Sequence, residues 1–83
     1  MRVRVLLFAR AKDLAGSASL EVELREGATV AGLRRALETT YPRLGAFLPC
    51  CAAAVGDEVA PEEMALSEGA EVAMLPPVSG GGS

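Results

Sequence analysis

Two stretches of strict alternation followed by one stretch of helical spacing limit what this chain can fold into. In "RVRVLLF", Val3, Val5 and Leu7 fall on one side and Arg2 and Arg4 on the other, while Leu6 and Phe8 make the end apolar on both faces. That period of two predicts a strand from Arg2 to Phe8 with one face buried. "ARAKDLAG" reads as a short helical turn that Gly16 can end. "SLEVELR" alternates again, with Leu20, Val22 and Leu24 inward and Glu21 and Glu23 outward. After a turn at Glu26-Gly27, Thr29 stands where a helix N-cap belongs. From Val30 the period lengthens, and Val30, Leu33, Leu37 and Tyr41 share a stripe. Pro42 closes this helix, because the residue before a proline avoids helical geometry.

Beyond Pro42, "RLGAFL" reads as an irregular connection that drops Leu44, Phe47 and Leu48 onto the core. "CCAAAV" is a small-residue strand, "GDE" turns the chain before Val59-Ala60, and a turn at Glu68-Gly69 precedes a last strand from Ala70 to Leu75. Two strands, a helix and two or three further strands bury the helix's stripe against one sheet face. The right-handed crossover rule puts the last strand beside the first. The expectation is an α+β fold of the β-grasp, or ubiquitin-like, kind: a mixed sheet of four to five strands covered by one main helix. Residues 1–75 would form this domain and residues 76–83 an extended C-terminal tail.

A chain of 83 residues makes one domain and buries only about 60% of its unfolded surface. Hydrophobic residues make up 51% of it, yet one Tyr, two Phe and no Trp supply the aromatic bulk, so small aliphatic side chains must do the packing. The net charge of −3 argues against nucleic acid, which needs a basic stripe. Arg2, Arg4, Arg10 and Lys12 do gather near the start, but a solvated strand face accounts for the first pair. No stretch approaches the roughly 20 apolar residues of a membrane span, and the alternation in "MRVRVLLFAR" suits a strand better than a secretion signal. Cys50 and Cys51 are adjacent, poorly placed to clip distant segments together. Without a His, a metal site is not expected. Both cysteines read as reduced and partly buried, in a cytoplasmic protein.

An internal active site is hard to build from this inventory. General acid–base or nucleophilic chemistry usually draws on a His or a paired Ser or Cys, and the glycines do not form a phosphate loop. The tail is different. Pro76 and Pro77 fix their backbone dihedrals and donate no hydrogen bond, so they end the sheet and favour an extended stalk. The six residues from Pro76 to Gly81 reach about 20 Å when extended. Gly80 and Gly81 carry no side chain, so a narrow channel can close around them, and a terminal glycine carboxylate is unhindered toward adenylation and displacement. At the stalk's root, Phe8, Met74 and Leu75 are more apolar than so small a domain needs at a strand end. They are expected to form a partner interface, with core packing the competing account.

"EGATV" opening the helix, "AVGDEVA" at the hairpin and "LSEGAEVAMLPPVSGG" at the end resemble the small-subunit family of molybdopterin synthases over nearly the whole chain, with "LPPVSGG" the most diagnostic part. The resemblance implies a sulfur carrier in molybdenum cofactor synthesis. A ubiquitin-activating-like adenylyltransferase would use ATP to adenylate Gly81, and a sulfur donor enzyme would supply the sulfur that replaces the adenylate, leaving a thiocarboxylate. Pro76, Pro77, Val78 and Ser79 would form the stalk, with Gly80 in the channel of the large synthase subunit. That partner, in a heterotetramer, would hold the catalytic groups and make the dithiolene on cyclic pyranopterin monophosphate. The small subunit itself would be no enzyme and bind no cofactor.

One departure matters. The family pattern stops at the diglycine, whereas this sequence continues through Gly82 and Ser83. Either a protease removes them before activation, or they are left over from cloning, or this copy is inactive as it stands; the first two are favoured. Three other readings compete: a carrier for thiamine, cysteine or tRNA thiolation, a ubiquitin-like modifier joined to lysines of other proteins, and a plain interaction domain ending in a linker.

Overall fold

The computed structural model describes residues 1–76. Its strands are β1 (Arg2–Leu7), β2 (Ser19–Glu23), β3 (Ala52–Val55), β4 (Glu58–Val59) and β5 (Glu71–Leu75), in the sheet order β2-β1-β5-β3-β4. Helices α1 (Ala9–Ala15), α2 (Val30–Thr40) and the single turn α3 (Pro42–Gly45) join them, with a 3-10 turn at Leu48–Cys50. β1 and β5 run parallel and every other pairing is antiparallel. This is the β-grasp arrangement, with the last strand central and beside the first.

The alternation in the sequence sets the two sheet faces. Val3, Val5 and Leu7 of β1, Val72 and Met74 of β5 and Ala53 of β3 pack with Val30, Leu33 and Leu37 of α2 and with Leu44 and Leu48. All of these side chains are essentially sealed from solvent, as the stripe on α2 requires. Thr29 caps that helix as expected, its Oγ1 accepting from the Gly32 N–H at 3.2 Å. Pro42 ends α2 but also opens α3 at its first position, where a missing N–H costs nothing.

The local differences have local causes. Phe8 leaves the strand to become the N-cap of α1. Ala9 then takes a positive φ of 51°, a conformation that costs an L-residue about 1–2 kcal/mol and turns the chain sharply. α1 is a full helix rather than a turn, since "ARAKDLA" is rich in good helix formers and buries Ala11. Gly16 ends it in the left-handed region, donating to the Lys12 carbonyl at 2.9 Å. Leu24 lies beyond β2 and only packs against the core's margin.

A loop folded over the start of α2 carries the chain from β4 to β5. The Val30 and Ala31 N–H groups donate to the Met64 and Glu62 carbonyls at 3.0 Å each, and Leu66 N–H to the Ala28 carbonyl at 2.8 Å. Arg34 locks this loop. Its Nε donates to both Glu62 carboxylate oxygens at 2.8 and 3.0 Å, and its Nη1 to the Leu48 carbonyl at 2.7 Å. The helix's free amides are thereby satisfied by a segment that delivers β5 into the middle of the sheet.

Candidate functional site

Because β1 and β5 are parallel, their C-terminal ends lie at one end of the sheet, with Leu7 opposite Met74. Phe8 and Leu75 therefore leave the sheet side by side, and the chain runs out of it through Leu75 and half-buried Pro76. On the sheet face away from the helices, the register aligns Leu6, Ala73, Ala54 and Val59 in one cross-strand row. Leu75 and Ala52 form the next row toward the exit. Val59 is 69% exposed, Phe8 44% and Leu75 36%. The first row is apolar across four strands, buried at Ala54, half-buried at Leu6 and Ala73 and open at Val59, and such contiguity suits an association surface where singly scattered apolar residues would not.

The other half of that face is charged. Arg4 lies 3.7 Å from Glu71 and Arg2 3.6 Å from Glu23, exposed pairs worth about 0–1 kcal/mol each. These arginines are partnered by carboxylates on neighbouring strands and form no basic stripe. The face is divided, apolar toward the tail and charged away from it.

Of the residues expected at the interface, Phe8 and Leu75 are on the surface. Met74 requires a correction. It shares the parity of Val72, faces the helices and is 0% exposed, so it belongs to the core. Pro76 sits at the exit, while Pro77, Val78, Ser79, Gly80, Gly81, Gly82 and Ser83 lie outside the described residues. The alternation of the first strand already put Leu6 on the outer face, though it was not counted in the interface, and Val59 was missed altogether. β4 is two residues long, too short to display alternation, and only the pairing register reveals which face Val59 joins.

The cysteines part company. Cys50 is exposed and Cys51 buried, with the Cys51 thiol donating to the Phe47 carbonyl at 3.7 Å. Burial pushes the Cys51 thiol above its ordinary pKa, the nearby Arg34 charge opposing this only in part. A thiol held protonated is a poor nucleophile. The sulfur transfer that the sequence resemblance implies is expected to survive Cys50→Ala combined with Cys51→Ala in a reconstituted reaction, with only some loss of stability. Loss of transfer at normal folding and normal thiocarboxylate content would contradict this.

The described residues form a β-grasp domain whose central strand ends beside exposed apolar side chains. The chain belongs to the ThiS family, whose model matches residues 5–81. It is 36% identical over 83 residues to the molybdopterin synthase sulfur carrier subunit of Chlamydomonas reinhardtii, across 98% of this chain and all of that one. Among solved structures it is similar to SAMP1 of Haloferax volcanii, with a TM-score of 0.87 and 28% identity over 96% of this chain and 99% of that one. It also resembles a chain in the complex of subunits 1 and 2 of the molybdopterin-converting factor of Helicobacter pylori, with a TM-score of 0.70 and 26% identity over 96% of this chain and 99% of that one.

Proposed function

We propose that this chain is the sulfur carrier of molybdopterin synthase. The observation that carries the reading is the family match running from β1 through to Gly81, on a fold whose central strand leads directly into "PPVSGG". The likeness to named sulfur carrier subunits supports the pathway. The likeness to a subunit 1–subunit 2 complex supports a large-subunit partner. The Gly81 carboxylate attacks the α-phosphorus of ATP on an adenylyltransferase and pyrophosphate leaves; sulfide-level sulfur delivered by a donor enzyme then attacks the acyl carbon, the C–O bond to AMP breaks, and AMP leaves the thiocarboxylate behind. The thiocarboxylate enters the large subunit, which supplies the catalytic groups, while Phe8, Leu75 and Val59 hold the two subunits together. This chain contributes the sulfur and the narrow stalk.

The deciding experiment is reconstitution. Thiocarboxylated chain ending at Gly81, mixed with the large subunit and cyclic pyranopterin monophosphate, is expected to yield molybdopterin and return the carboxylate form. A bound large subunit with intact thiocarboxylate and no dithiolene would overturn the reading. The likeness to SAMP1, a small archaeal modifier protein, favours a second reading, in which the same activated tail is passed to amines of other proteins. The two readings share the adenylate and differ in the nucleophile that consumes it.

A further inference from the structure

Among the described residues five take a positive φ, and four of them are glycines: Gly16, Gly27, Gly56 and Gly69. The fifth is Ala9, at 51°. A glycine makes a left-handed turn without strain, because it has no Cβ to meet the following carbonyl oxygen. At Ala9 the chain makes the same turn against that contact. Strained backbone persists only where its surroundings impose it, and here ties on both sides do so. The Leu7 N–H donates to the Ala18 carbonyl at 2.8 Å, and the Phe8 carbonyl accepts from the Ala11 and Lys12 N–H groups at 3.1 and 3.4 Å. Between those ties lies Phe8, extended at φ −132° and ψ 155°, with its side chain exposed at the end of the sheet. Core packing does not account for the methyl group, since Ala9 is itself exposed and lines an open depression with Leu6 and Phe8.

We infer that Ala9 is a positioning residue for association: its methyl group restricts the strand-to-helix turn so that Phe8 is preset beside Leu75 on the docking face. The inference rests on the reading of the apolar sheet end as the contact with the large synthase subunit. An alanine in the left-handed region has one small well, about 20° wide in φ, whereas a glycine moves freely across positive and negative φ. With glycine at position 9, the end of β1 and the start of α1 gain freedom relative to each other. Phe8 then samples several directions, and binding has to select one of them. Immobilising a side chain on association costs affinity, a cost that a preset anchor avoids. The strain is retained because it fixes the direction of an anchor.

The test is Ala9→Gly, alone and combined with Phe8→Ala, titrated calorimetrically against the large subunit, with thermal melts of the free chains. Ala9→Gly should melt no lower than its parent, since relief of the strained turn offsets the added freedom of the unfolded chain. It should nevertheless bind about five- to tenfold more weakly. Ala9→Ser keeps a Cβ and should bind within about twofold of the parent. In the Phe8→Ala chain no anchor remains to be aimed, so adding Ala9→Gly should change affinity by less than about twofold. An Ala9→Gly chain that binds like its parent, or melts lower, overturns the inference. So does an Ala9→Ser chain as weak as Ala9→Gly. A loss of equal size with and without the Phe8 ring overturns it too, because the methyl group is then a contact in its own right. If Phe8→Ala binds like its parent, the reading of the sheet end as the interface falls as well, which separates the two failures.

Discussion

Leu75→Glu should leave the domain folded and reduce its affinity for the large synthase subunit by about 100-fold or more. Leu75 is the last residue of β5, 36% exposed on the outer face and paired with Ala52, so no core contact is lost. Its neighbours on that face are Ala73, Ala54, Leu6 and Val59, none of which can pair with a carboxylate. Covering the new charge with a partner's apolar surface strands it without a counter-ion. The loss of an apolar anchor at an interface centre is already worth about 2 kcal/mol or more, and roughly 2.7 kcal/mol corresponds to 100-fold in Kd. Glu21→Gln, on the charged half of the same face, should change affinity less than about threefold, as rim charges usually do. Titration calorimetry of both variants, with thermal melts to verify folding, gives the comparison. A folded Leu75→Glu chain that binds like its parent removes the apolar sheet end from the interface.

The same strand illustrates what the sequence could and could not disclose. Period-two spacing placed β1, β2 and β5, and period 3.6 placed α2, because each signal is carried by adjacent residues. Met74 was legible too: it lies two residues from Val72 and so shares its face, and treating the strand end as one apolar cluster hid that parity. Val59 was not legible. Its membership of the outer face follows from its pairing with Ala54 and from Ala54 pairing with Ala73, long-range register that no local pattern encodes. The Arg34–Glu62 clamp joins residues 28 apart, and sequence alone offered only a charged residue on each of two surfaces. The site inherits this division. Its chemical end is proposed from "PPVSGG", of which only Pro76 is among the described residues, whereas the apolar ground around the exit had to come from the fold.

The chemical end itself can be fixed to one carbon atom. A chain ending at Gly81 should take up sulfur when incubated with ATP, its adenylyltransferase and a sulfur donor, and a chain carrying Gly82 and Ser83 should not until both are removed. β5 ends at Leu75, and in the proposed complex the sheet end is seated on the partner. The number of residues after Leu75 then determines where the terminal acyl carbon falls. Two extra residues move it by about 7 Å along an extended chain, and Ser83 adds a side chain where a channel shaped for glycine has no room. Reactivity is steep in such displacement, since about 1 Å of misplacement can cost on the order of 100-fold in rate. Intact mass reads the outcome as one oxygen exchanged for sulfur. Gly81→Ala in the shorter chain separates length from girth: it retains the reach and adds one methyl group, so it should be adenylated slowly if girth matters. If the 83-residue chain acquires sulfur as fast as the chain ending at Gly81, the reactive carbon is not at Gly81 and the channel does not measure the tail.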